Sequence, residues 1–282
     1  MKYRVRVGAA VRRCAALALP LLVLQLASSQ VAYADPGALP TQVNALYKIR
    51  FGLLGEIGTF QFKSHIDGET YTLSADAKID TTVFDYLGSM TSSGAVHASH
   101  ATPADYEFRY RQKVLLGKKK AKSLSIAFDD AGAKGVTFVP PDPPSNKVIP
   151  VTKEQLLRTL DPLTGVMALS LADIDRPCDQ TLPIFDGKQR FDLIFTPTGR
   201  TEGNGHDQVC NVRFVPISGY KPGEGSDSVI SGNIEVTLRA IPKAHILIPS
   251  RVTVPTIIGS AVLTSDDVEI TMPDRQRIAL RR

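Results

Sequence analysis

The side chains able to do chemistry in this sequence are few and scattered. Five histidines are present, His65, His97, His100, His206 and His245. His206-Asp207 has the types of a base and its orienter in a nucleophilic triad. It sits in a Gly- and Asn-rich stretch, residues 201–207, where solvated turn chemistry accounts for it more simply. His97 and His100, three apart on one strand, would point to opposite faces. No G-x-S-x-G elbow, H-E-x-x-H or phosphate-cradling loop occurs. A hydrolase using His206 or His97 near a carboxylate is therefore the last of three functional readings. No cofactor and no metal centre is expected. The only dense charge run is Lys118, Lys119, Lys120 and Lys122. It reads as a solvated hairpin tip that discourages edge pairing, or as a contact with an anionic lipid surface.

The chemistry open to the cysteines depends on compartment. Residues 1–34 have the form of an export signal: Lys2, Arg4, Arg6, Arg12 and Arg13, an apolar run over 15–26, then Ala32-Tyr33-Ala34. Cleavage after Ala34 is expected, with a retained anchor or an organellar transit peptide as the weaker alternatives, and the general or twin-arginine route left open. Cys14 follows two arginines and no lipobox. The chain has 33 Lys+Arg against 28 Asp+Glu, and five of the basic residues lie in that signal, leaving 28 against 28. The high pI thus gives no ground for nucleic-acid binding. A mature chain keeps two cysteines, Cys178 and Cys210, which in an oxidising compartment most simply form a disulfide. In the chain-entropy model such a link is worth about 3–4 kcal/mol. The rival, a metal held by Cys178, His206 and Cys210, lacks a close Cys pair and a fourth ligand.

These residues must be positioned mainly by strands. Tyr47, Ile49, Phe51 and Leu53 alternate along the chain, as do Tyr71 to Ile79, Tyr106-Phe108-Tyr110 and Ile234 to Ala240. Asp186-Gly187 predicts a two-residue hairpin turn, with Pro183 placing the preceding strand at an edge. Two short helices are expected within 152–172. One follows the capping box Thr152-Lys153-Glu154-Gln155, and the other starts at Asp161-Pro162. A third candidate covers 82–87. The proline-rich connection, 140–150, separates two strand sets, read as one continuous domain with two domains as the alternative. The expected divisions are 1–34 signal, 35–45 leader, 46–272 β-rich domain and 273–282 basic tail.

Three stretches, YKIRFGLLGEIGTFQF, DPLTGVMAL and CDQTLPIFDGKQRFDL, together resemble the domain of unknown function 3108 family of exported Gram-negative envelope proteins. The resemblance spans residues 46–270. It implies a mainly β fold, a long curled antiparallel sheet forming a half-open barrel or β-spiral like those of periplasmic lipoprotein carriers. It supplies no catalytic residues. In such a sheet Phe60, Phe62, Tyr106, Phe108, Phe191 and Leu193 would line an apolar groove. The leading expectation is a non-enzymatic periplasmic protein holding a lipid, a lipoprotein or a cell-wall partner in envelope homeostasis. The alternative is a packed interaction module acting through an edge strand.

Overall fold

The computed structural model describes residues 38–97, 99–141, 147–221 and 230–281. The expected signal, residues 142–146 of the proline-rich connection and Arg282 lie outside the described residues. Alternating apolar positions produce a meander of seven strands: β1 (Gln42–Phe51), β2 (Gly55–Asp67), β3 (Thr70–Asp80), β4 (Phe84–His97), β5 (His100–Val114), β6 (Lys120–Asp129) and β7 (Gly132–Val139). After one helix, α1 (Pro162–Ser170), come β8 (Thr181–Phe185), β9 (Arg190–Glu202), β10 (Asp207–Ser218), β11 (Ile234–Ile241), β12 (Ile246–Thr256), β13 (Gly259–Thr271) and β14 (Arg277–Arg281). All belong to one 14-stranded antiparallel sheet. Its order runs from β7 through β1 to β13 and on to β8, with β14 beside β13.

A sheet this long curls, and here its two ends nearly meet. Residues 157–160 lie along both edges. Arg158 N–H donates to Ala131 O at 2.8 Å beside β7, while Leu160 N–H donates to Pro183 O at 2.8 Å in β8. Phe185 N–H returns a bond to Leu160 O at 2.9 Å. The approach needs a glycine at the β7 edge, since a Cβ on Gly132 would lie 2.0 Å from Leu156 O. The result is a nearly closed, barrel-shaped sheet.

The helix count corrects the sequence reading. The capping box forms, with Thr152 N–H donating to Gln155 Oε1 at 3.0 Å. It nucleates only a 3₁₀ turn, Glu154–Leu156, before Leu157 turns extended and Arg158 adopts φ 55°. Edge pairing by 157–160 displaces the helix that the leucine spacing suggests. The candidate over 82–87 is strand from Phe84 onward, because Phe84 pairs with Val114 of β5, Tyr86 pairs with both neighbouring strands, and the two rings share the inward face. Strand β1 begins inside the expected leader, and half of the expected basic tail is β14. The β8–β9 connection is four residues long rather than two: Asp186 Oδ1 accepts from Lys188 N–H and Gln189 N–H, at 2.9 and 2.6 Å.

Helix α1 plugs one end of the curl. It packs against β3, β4 and β5 on one wall and β8 and β12 on the other. Two apolar clusters flank it. One contains Phe62, Tyr71, Tyr106, Met167 and Ile270; the other contains Leu169, Leu182, Phe195, Leu238 and the disulfide. Strand β12 serves both, sending Ile246 and Ile248 to the first and Leu247 to the second.

Candidate functional site

The inward rows of the sheet change character along the strands. Near α1 they are sealed: Tyr71, Leu73, Ala75, Tyr106, Val268 and Ile270 are buried. Toward the other end the same rows continue as Phe60, Ile79, Phe84, Tyr86, Tyr110 and Leu263, all half-exposed. Cross-strand pairing keeps these residues on one face, Ile79 opposite Tyr86 and Leu263 opposite Ile49. The fold thus ends in an aromatic-walled mouth.

The rings in the mouth form a ladder, the sheet's equivalent of a stacked column. Phe84 stacks on Tyr86 at 6.3 Å between centroids, Tyr86 on Tyr110 at 6.0 Å, and Tyr110 on Phe108 at 5.6 Å. Tyr47 and Phe60 meet at 6.0 Å on the neighbouring strands. Gly88 makes the ladder possible, because a Cβ there would fall 2.7 Å from Tyr86 Oη.

At the inner end lies a polar knot. Asp161 is fully buried and caps α1, its Oδ1 accepting from Leu163 N–H at 2.9 Å and Thr164 N–H at 3.0 Å. Its Oδ2 accepts from Ser92 Oγ at 2.9 Å and Thr164 Oγ1 at 2.5 Å. With Thr164's single proton so placed, Tyr71 donates to Thr164 Oγ1 at 2.8 Å. Burial pushes the Asp161 carboxyl up from its ordinary value despite these donors. Burial also raises the Asp186 carboxyl in the β8–β9 turn. That turn reaches the opposite wall, where a Cβ on Gly187 would contact Leu124 Cδ1 at 3.1 Å. Tyr106 lies between these groups; burial, then the charges of Asp161 and Asp186, push its phenol up. Nearby, Ser218 Oγ and Tyr220 Oη are buried without a hydrogen-bond partner among the described residues.

The structure distributes the expected groove residues unevenly. Phe62 and Tyr106 are buried in the first core, where the apolar cavity beside Phe62 holds about 40 Å³, room for water and not for an acyl chain. Phe60 and Phe108 stand in the mouth. Phe191 and Leu193 pack against the second core, with Phe191 stacked on Phe214 at 4.7 Å. Missing from that expectation are Phe84, Tyr86 and Tyr110. The alternation of Phe84 and Tyr86 was the available signal, obscured by the helical reading of 82–87.

Cys178 and Cys210 form a disulfide, with Cα atoms 5.4 Å apart. It joins the segment before β8 to β10, across the intervening β9. Lys118, Lys119 and Lys120 are exposed at the β5–β6 tip, whereas Lys122 is half-buried opposite Tyr110 on the inward face. His97 and His100 face each other across the β4–β5 hairpin, on two strands rather than one. His97 Nδ1 lies 3.3 Å from Glu69, both exposed. Asp207 is committed to Arg239, which donates to both carboxylate oxygens at 2.8 Å, and to Ser250 at 3.1 Å. Among the described residues no group of three or more His, Cys, Asp or Glu side chains could hold a metal ion.

No curated protein matches the chain. A solved structure similar to it is a beta-barrel-like protein of domain of unknown function DUF1849 from Brucella abortus. The two share 12% identity, the alignment covering 83% of this chain and 99% of that one, with a TM-score of 0.43. The model of the family DUF3108, described as a protein of unknown function, matches residues 46–266, and the chain belongs to that family.

Proposed function

We propose that this is a non-enzymatic periplasmic protein that binds an apolar ligand in its mouth, in the service of cell-envelope homeostasis. The ligand class is the acyl portion of a lipid or lipoprotein, or an apolar segment of a cell-wall partner. The observation that carries the reading is the half-exposed aromatic ladder Phe84–Tyr86–Tyr110–Phe108 on the inward face of a nearly closed sheet. Apolar walls with a few polar groups at the inner end suit an amphiphile. The disulfide and the signal-like start support export to an oxidising compartment.

Native mass spectrometry of detergent-free protein purified from the periplasm tests the reading. A reproducible adduct of lipid or peptide mass is expected, and it is expected to be lost in the Tyr86→Ser/Tyr110→Ser double variant. A bare mass in the wild type, together with no displaceable binding of a fluorescent fatty acid, would sink it. The second reading, a packed module acting through protein contacts, is favoured by the small cavity at Phe62. It expects that bare mass and a partner captured at a sheet edge.

A further inference from the structure

The loops that close the mouth have an unusual composition for hairpin tips. Four hairpins adjacent in the sheet turn there: β5–β6, β3–β4, β1–β2 and β12–β13. Their tips present Leu115 and Leu116, Val83, Leu53 and Leu54, and Ile257 and Ile258, all exposed. Leu53 and Leu116 are as open as an isolated residue, at 107% and 101%. Each doublet is followed directly by a glycine, Gly55, Gly117 or Gly259. Leu116 holds φ 60°, a conformation that a side chain disfavours and where Gly, Asn or Asp is usual.

The tips adjoin in two pairs along the same end of the sheet. Leu115 N–H donates to Val83 O at 2.8 Å, joining two of them. Gly259 lies against the β1–β2 tip, where an added Cβ would be 3.6 Å from Phe51 and 3.8 Å from Gly52 Cα.

Charge identifies the surface that fits. Residues 52–55, 81–83, 114–120 and 256–259 contain Lys118, Lys119 and Lys120 and no acid. The two positions on either side of each range add Arg50, Lys113 and Lys122 against Glu56, Asp80 and Asp85, so the rim stays positive. Aliphatic side chains projecting from separate tips, bordered by lysines, match a plane with an apolar interior and anionic headgroups. A protein interface selects differently, enriching aromatics and arginine and depleting lysine.

We propose that this rim is a membrane-docking surface, its leucines and isoleucines seated between the headgroups of an anionic bilayer and its lysines on their phosphates. Docking so would turn the mouth toward the lipid. The inference does not depend on what the mouth holds, since an empty mouth leaves the rim unchanged.

Vesicle flotation of the purified protein tests it, using phosphatidylcholine with about one-third phosphatidylglycerol against phosphatidylcholine alone. Flotation with the anionic vesicles is expected, weakening as salt rises. Replacing Lys118, Lys119 and Lys120 by glutamine is expected to weaken it about fivefold per lysine. The variant Leu53→Ser/Leu54→Ser/Ile257→Ser/Ile258→Ser is expected to abolish what high salt leaves. The chain contains no tryptophan, so Leu54→Trp gives a background-free reporter whose emission is expected to shift to the blue on anionic vesicles. Absence of flotation overturns the proposal. So does flotation that survives both sets of substitutions, which would place binding in the leader or elsewhere. Self-association or a protein partner that depends on the rim doublets, without vesicle binding, overturns it in favour of a protein interface.

Discussion

The two ends of the curled sheet are made from the same strands and carry opposite surfaces. At the α1 end the turns are polar: Asp67-Gly68-Glu69, Asp129-Asp130, Pro242-Lys243-Ala244-His245 and Pro273-Asp274-Arg275. None of them exposes a large aliphatic side chain among the described residues. Beneath them a helix, a disulfide and a buried carboxylate knot fill the interior. At the mouth the turns are aliphatic and the inward face is left half-open. A strand that buries one face must cover it with something. One end uses its own helix. The other leaves apolar surface on both its wall and its rim, the arrangement expected of a site that meets an apolar environment.

If the sealed end holds the fold and the open end serves binding, stability and binding should separate by position. The largest effect expected is loss of the disulfide. Cys178→Ala/Cys210→Ala should lower the unfolding free energy by about 3–4 kcal/mol in urea titrations. A drop below about 1 kcal/mol would mean that the second core holds without its staple.

Next is Asp161→Ala, expected to cost about 3 kcal/mol, because it uncaps α1 and leaves Ser92 and Thr164 without their acceptor. Asp161→Asn should cost less and should alter the pH dependence. Burial raises this carboxyl above its ordinary 3.8, so the folded state keeps a proton that the unfolded chain releases. Its contribution is full below 3.8 and lost as pH rises through the raised folded value. Urea midpoints measured from about pH 3 to about pH 7 should show that slope in the wild type and a shallower one in Asp161→Asn. Asp186, shifted the same way, adds to that slope.

The smallest effect belongs to the rim. Leu53→Ser/Leu54→Ser should change stability by no more than about 0.5 kcal/mol, since Leu53 is fully and Leu54 mostly in solvent. A larger loss would show that the rim packs against something within the chain and would erase the contrast between the ends.

Much of this was legible in the residues. Alternation in Tyr71 to Ile79 and Tyr106 to Tyr110 marked strands with one buried face, because the pleat has a period of two. Asp161-Pro162 marked the helix start, because cap and first-turn chemistry are local. Other signals misled. The leucines at 156, 157 and 160 have helical spacing, but Leu157 and Leu160 are claimed by the sheet edges, which lie 25 and 24 residues away at Gly132 and Ile184. Phe62 and Phe84 look alike as alternating aromatics, yet one is in the core and the other in the mouth.

By itself, then, the sequence determined the strand rhythm, the capped helix, the cysteine pair and the lysine run, all readable within a few residues. Only the tertiary structure decided that the edges of the sheet meet along residues 157–160, that α1 fills one end and not the other, and that three doublets some 60 and 140 residues apart share one rim. The reason is physical. Pleat, cap and turn preferences act between near neighbours, whereas closure of a sheet is a balance of burial among strands that the chain brings together only on folding.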